Sequence, residues 1–316
     1  MARRFENTAA LCALLCALDR RGYAFVAPTP STASRMYRRS KSHGGLRDVF
    51  GWSRPFGSDD LEPEILDLMK AAGVLLARQG RLRSLVRAST VRGRLFLHSA
   101  FPTLASNSVF LGPDTYRFVD LIAHQLSSDE PVGTLLDVGA GAGVGAIIAA
   151  AHTHGAAITM TDLNPAALDL ARANAAYLGV KATFLHASGL ESAPTNLDLI
   201  ISNPPYMEGA SGRTYRDGGD LHGARLSLDW AREGMGRLAP GGRMILYTGS
   251  AILDGGEDAL KTELARAVAD ASFHLAYREL DPDVFGEELR RPAYAGVERI
   301  AAVAAVITRP AAVTLD

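Results

Sequence analysis

From residue 133 onward the chain alternates short apolar runs with amphipathic stretches, and this rhythm limits the fold more than any other feature. Strands are expected at 133–138, 157–161, 182–187, 197–202 and 243–248, and helices at 142–152, 165–178, 223–238 and 256–271. Such alternation argues for a mainly parallel sheet with helices on both faces. Phe273 to Leu280 and Glu298 to Thr308 break the rhythm, because no helix separates them, so they should pair antiparallel at one edge. The expected architecture is α/β: a doubly wound, Rossmann-like sheet of seven strands with the last strand antiparallel.

Residues 1–109 have a different texture. An apolar helix is expected at 8–19, stopped by Arg20-Arg21-Gly22, and then an exposed connection from Ala27 to Gly45, rich in Pro, Ser, Thr and basic residues. Asp59 to Glu64 opens a second helix, since acidic residues and Pro63 suit a first turn whose free N–H groups carry positive potential. Short apolar runs at 74–78, 82–87 and 94–98, separated by Gly and Arg, read as hairpin strands. A smaller, basic α+β domain at 1–109 is therefore expected ahead of a larger one at 110–316. Gly112-Pro113-Asp114-Thr115 opens the first helix of the larger domain, with Asp114 as its N-cap and Tyr116, Val119, Leu121 and Ile122 among its apolar positions.

The net charge of −1 conceals a split. Residues 1–100 carry 17 Lys and Arg against 8 Asp and Glu, and the remainder 16 against 26. A basic unit of helix and small strands fits a structural cap or a winged-helix reader of nucleic acid, and its charge also suits an acidic protein partner. Hydrophobic residues make up 47% of the chain, ordinary for a folded protein, and no apolar run nears the length of about 18 residues that a membrane span needs. Cys12 and Cys16, the two cysteines, lie four apart on one helix face. They offer neither a disulfide framework nor a metal set, which fits a reducing cytoplasm.

The functional signal lies in two turns. Thr134 to Val138 is a buried strand that runs into Gly139, Gly141, Gly143 and Gly145, where missing side chains let the backbone approach a ligand. Gly141 to Ala146 also fits the dinucleotide pattern G-x-G-x-x-A, so a nicotinamide enzyme is one reading. Asp162, followed by Leu163 after the second strand, can accept both hydroxyls of a ribose, which dinucleotides and S-adenosylmethionine share. Asp137 separates the two readings, because an anion ahead of the glycines repels a pyrophosphate and suits the cationic methionyl end of S-adenosylmethionine. Leu190 and Glu191, after the third strand, are weaker candidates for contact with the base.

The second turn is Asn203-Pro204-Pro205-Tyr206, at the end of the fourth strand. The prolines fix the backbone and cannot donate, which leaves the carbonyls of Asn203 and Pro204 free to face a substrate. Asn203 adds a side-chain carbonyl, and Tyr206 a flat ring. Two acceptors and a ring would hold a planar NH2 group with its lone pair toward a methyl donor, and the acceptors would stabilise the positive charge that develops on nitrogen.

On these residues the stretch from about 110 to 309 resembles the class I S-adenosylmethionine-dependent methyltransferases, in the amino-methylating branch that bears Asn-Pro-Pro-Tyr. Gly112-Pro113-Asp114-Thr115 is similar to the Pro-x-Pro-x-Thr-Glu stretch of the protein-(glutamine-N5) methyltransferases of that branch, although Tyr116 replaces the final Glu. The resemblance implies S-adenosylmethionine as cofactor, with Asp137, Gly139, Gly141, Gly143, Asp162, Leu163 and Asn203 as donor contacts. It implies Asn203, Pro204 and Tyr206 as the catalytic group, with Pro205, Tyr206, Arg213 and Arg216 toward the substrate and no metal. The glycine-rich loop from Gly212 to Gly223 is expected to close over the substrate, where His222 would either assist proton removal or serve as a solvated cap. Ribosomal-RNA guanine-N2 and adenine-N6 methyltransferases share the Asn-Pro-Pro-aromatic core, so protein and RNA acceptors both stay open, as does a non-catalytic nucleic-acid-binding module.

Overall fold

The computed structural model describes residues 4–39, 44–126, 131–208 and 217–312. The N-terminal third holds α1 (Thr8–Arg20), α2 (Pro30–Arg39) and α3 (Pro63–Ala71), followed by two separate antiparallel hairpins. These are β1 (Leu75–Arg78) with β2 (Arg81–Ser84), and β3 (Val86–Val91) with β4 (Arg94–Ser99). Asn7 caps α1 by accepting the Ala10 N–H at 3.1 Å, and Pro63 occupies the first turn of α3. The stretch expected as an exposed connection, Ala27 to Gly45, contains α2 instead. Its composition is that of a loop, but Ala33 is buried and the buried Arg54 donates to the Met36 carbonyl at 3.0 Å, so tertiary contacts override weak propensity.

The larger part runs α4 (Pro113–Gln125), β5 (Thr134–Val138), α5 (Val144–Ala150), β6 (Ala157–Asp162), α6 (Pro165–Tyr177), β7 (Thr183–His186) and β8 (Leu197–Ser202). It continues with α7 (Arg225–Met235), β9 (Leu238–Leu253), α8 (Ala259–Asp270), β10 (His274–Asp281) and β11 (Val297–Thr308). The seven strands β5 to β11 form one sheet in the order β10-β11-β9-β8-β5-β6-β7. The pairs from β9 to β7 are parallel, and β11 lies antiparallel between β9 and β10, as the missing helix before it requires. β9 is longer than the expected 243–248, because β11 pairs with it from Val297 to Thr308.

Each face of the sheet has its own core. One cluster packs α7 and α8 through Leu228, Met235, Leu260 and Leu264 against Leu136, Leu246 and Val303. The other is continuous from the sheet through α4, α5 and α6 into the N-terminal third, where it includes Leu11, Leu15, Phe25 and Phe96. α6 is buried on both sides, which its alanine-rich sequence permits by letting neighbours approach closely.

Three polar contacts fix that junction. Asn174 of α6, wholly buried, accepts the Leu97 N–H at 2.8 Å and donates to the carbonyls of Leu97 and Ala142 at 3.0 and 2.9 Å. Asp169 receives Arg4 in a two-pronged ion pair at 2.7 and 3.0 Å, and also the Phe5 N–H. Burial pushes its carboxyl up, but the Arg4 and Phe5 hydrogen bonds outweigh this and hold it below the usual range. Tyr116, which stands where the resemblance expects Glu, accepts the Ala27 N–H on its hydroxyl at 2.9 Å.

Candidate active site

Connections after β5 move outward through β6 and β7 and then return to β8 on the other side of β5, so the sheet has its switch point between β5 and β8. A cavity of about 1100 Å³ opens at the carboxyl ends of these strands. Asp137, Gly139, Gly141, Asp162, Leu163, Asn203, Pro204, Pro205 and Tyr206 all line it. A second, more open cleft of about 840 Å³, between α7, α8 and the end of β11, holds none of them.

On the β5 side, Asp137 is 2% exposed and accepts the Ala146 N–H of α5 at 2.9 Å. Burial pushes its carboxyl up to about 7, with the Ala146 hydrogen bond opposing and the nearby Asp162 charge adding. Asp162 ties two turns together, accepting the N–H of Gly141 at 2.8 Å and of Asn164 at 2.7 Å. Its carboxyl is also raised by burial, against the pull of those two donors. Gly141 has φ +56, and no atom lies within 4 Å of where its Cβ would stand, so bare backbone faces the open cavity. Leu163 sits at the rim, 59% exposed.

Gly143, expected as a donor contact, is not part of this wall. A Cβ there would stand 3.1 Å from Ala171 Cβ and 3.2 Å from Met160 Sδ, so this glycine serves the close packing of α5 on α6 and β6. Leu190 and Glu191 are likewise displaced, since Leu190 is buried in the core beneath and Glu191 is exposed. Ser188 and Gly189 take the wall position instead.

At the end of β8, the Ser202 hydroxyl donates to the Val138 carbonyl at 3.0 Å and ties the two functional turns together. Among the described residues, the Asn203 side chain has no hydrogen-bond partner, and no loop or turn amide donates to the carbonyls of Asn203 or Pro204. Tyr206 is wedged in place. A Cβ on Gly249 of β9 would collide with its ring, Phe285 packs edge-on at 5.9 Å, and its hydroxyl is directed at the Asp114 carboxyl. Burial and that carboxyl hold the Tyr206 hydroxyl well above its ordinary range.

Asp114 is not the N-cap of α4. Gly112 holds that position, while Asp114 turns inward, 8% exposed, and accepts the Tyr247 hydroxyl at 2.7 Å. Its role in the cavity wall was not readable from the sequence, because the partner that draws it inward is 133 residues away. Trp230 of α7 was missed for the same reason. Its ring edge fills the space that a Cβ on Gly139 or Gly189 would need.

Arg213 and Arg216 lie outside the described residues. The described end of the glycine-rich loop braces the motif from behind: Gly218 donates to the Met207 carbonyl at 2.8 Å, and side chains at Gly218 or Gly223 would strike the backbone of Pro205 or Tyr206. His222 does not line the cavity. Its Nδ1 lies 3.0 Å from the Ala293 carbonyl and 3.7 Å from Glu208.

The cavity suits S-adenosylmethionine better than a nicotinamide dinucleotide. A buried carboxyl, Asp137, lines the cavity with the glycine turn, where its charge would repel a pyrophosphate and attract a methionyl ammonium. Asp162 keeps oxygen lone pairs for ribose hydroxyls, and Gly141 leaves room for close approach of the ligand.

Residues 113–217 match the Methyltransferase small domain family. A release factor glutamine methyltransferase from Bordetella pertussis is 32% identical over 224 residues, which cover 69% of this chain and 79% of that relative. Enzymes with the same name from Deinococcus radiodurans and Neisseria gonorrhoeae are 37% and 30% identical, over 42% and 46% of this chain. In those two matches the chain spans about half the length of the relatives, 51% and 58%. Two turns placed on one cavity, together with this likeness across most of a curated relative, make the chain a member of the release factor glutamine methyltransferase family, within the S-adenosylmethionine-dependent methyltransferases.

Proposed function

We infer that the protein methylates the side-chain amide nitrogen of a glutamine carried by a protein, in the cytoplasm, and that a peptide-chain release factor is the acceptor. The observation that carries this is the unclaimed Asn203 side chain at the end of β8, on the same cavity as Asp137 and Gly141. When bound, S-adenosylmethionine supplies a methyl group activated by its sulfonium. We assign Asp137 to the methionyl ammonium, Asp162 to the ribose, and Gly139, Gly141 and Leu163 to the walls around them.

The Asn203 side-chain carbonyl and the Pro204 backbone carbonyl each accept one N–H of the acceptor amide, which fixes its plane and leaves the nitrogen lone pair aimed at the donor side. These two oxygens would stabilise the positive charge on the nitrogen as the methyl passes to it from the sulfonium sulfur, and the N–H proton would then be lost to water. No side chain has to act as a strong base. Pro205 and Tyr206 shape the slot, and Arg213 and Arg216 are assigned to the acceptor protein.

The test is transfer of a tritiated methyl group to a purified release factor from the same genome. Wild type should give label that is sensitive to protease and resistant to nuclease. Asn203→Ala should lower turnover by about 100-fold or more, while S-adenosylhomocysteine affinity measured by calorimetry stays within about threefold. Label in RNA rather than protein would move the chain to the nucleic-acid-modifying branch, and tight binding of NADH alone would remove it from methyl transfer.

A further inference from the structure

Two stretches of the chain contain no acidic residue. None occurs between Asp19 and Asp48, nor between Asp67 and Asp114, and each stretch carries seven Lys or Arg. The fold brings them side by side. Arg83 of β2 donates to the Tyr37 hydroxyl of α2 at 2.7 Å, with its guanidinium 5.9 Å from the ring centre.

This basic surface begins at the cavity. Pro30 and Ser34 of α2 line the cavity mouth, and Arg38 follows at the same four-residue spacing, about 6 Å further along the helix axis. Arg35 and Arg38 are exposed, as is Arg78 on hairpin β1–β2, and none of the three has an ion-pair partner among the described residues. Charges held within the protein would be paired, so these three are available to a partner.

The large exposed apolar residues along the same path are aliphatic, while Tyr37, the ring on α2, is half-buried beside the Arg83 guanidinium. Leu104 and Leu163 stand 66% and 59% exposed at the cavity rim, and Leu76 is 39% exposed on the hairpin. No aromatic ring is among the large exposed hydrophobic side chains described. Single-stranded nucleic acid is held by aromatic stacking, whereas arginines interspersed with aliphatic side chains suit a protein surface.

We propose that this track, from the cavity rim along α2 to hairpin β1–β2, docks an acidic surface of the protein that carries the acceptor glutamine. The inference rests on the glutamine-methylating reading and adds where the acceptor protein is held. Docking outside the catalytic cavity raises the local concentration of the glutamine without touching the reacting atoms.

The test compares the 316-residue chain with its Arg35→Glu/Arg38→Glu/Arg78→Glu variant, all three positions being exposed and outside the cavity lining. A release factor and a short glutamine-containing peptide cut from it serve as acceptors, and release-factor binding to the immobilised enzyme is measured separately. The variant should raise KM for the release factor by about tenfold, with kcat and the peptide kcat/KM within about twofold. Lys at the same positions should restore the wild-type KM, and added salt should weaken wild type more than the variant.

An unchanged KM and unchanged binding would overturn the proposal. So would equal losses for peptide and protein, or the same charge dependence with RNA as the labelled acceptor. Charge-dependent binding of the release factor without methylation would leave the docking surface standing and defeat the methyl-transfer reading instead.

Discussion

Asp137 is the residue at which pH and ligand meet. Its carboxyl, raised to about 7, lies well above the unfolded value near 3.9. A group shifted in that direction contributes most to stability below the unfolded value, and the contribution is lost as pH rises through the folded one. The contribution of Asp137 should therefore be lost between about pH 4 and 7, and Asp137→Asn should make that slope shallower in urea titrations, with Asp162 and Asp114, also raised by burial, carrying the remainder. A cationic ligand favours the ionised form, so S-adenosylhomocysteine affinity should fall by up to about tenfold per pH unit below 7 in wild type. Asp137→Asn should bind weakly at every pH. A flat wild-type profile would show that the methionyl ammonium is held elsewhere. Asp137, Asp162 and Asn203 could be found in the sequence because each lies within a residue of a strand's carboxyl end. Asp114 could not, because its neighbours on the chain say nothing of Tyr247 or Tyr206.

Among the elements, β9 and α6 carry the site without supplying reacting groups. Gly249 of β9 lies flat against the Tyr206 ring, so Gly249→Ala should push the ring and with it the Asn-Pro-Pro turn. We expect turnover to fall by about 100-fold with S-adenosylhomocysteine affinity unchanged, since displacements near 1 Å have costs of that order in positioning. Unaltered turnover would mean that the turn is held by its prolines alone. On α6, Asn174→Ala leaves the Leu97 N–H and two carbonyls without a partner in the core, at a cost of about 2–4 kcal/mol. Urea denaturation should show this as a lower midpoint with the slope preserved.

The strands and helices of the larger part were legible because hydrophobic period and turn residues agree there. α2 was not, because proline, serine and threonine read as loop and its burial comes from Arg54 and the segment around it. Gly143 shows a similar limit: a glycine in a ligand-binding pattern can be required by the helix packed behind it.

At the scale of the whole molecule, the N-terminal third and the sheet share one hydrophobic core across α6. Residues 110–316 produced alone would expose the outer face of α6 and strand Asp169 without Arg4. That fragment should fail to give a single cooperative unfolding transition, and a sharp transition with retained S-adenosylhomocysteine binding would contradict the shared core. The charge split follows the same division, with the basic third placed beside the cavity mouth and the acidic remainder building the sheet.

The buried amide of Asn174 touches both the hairpin β3–β4 and Ala142, one residue beyond the glycine turn that faces the cavity. Exchanging N-terminal segments between relatives to alter acceptor choice would thus disturb donor binding unless α6 travelled with the graft. The natural unit of exchange in this protein is not a length of chain but a pair of surfaces, separated by more than seventy residues in sequence and held together by one buried amide.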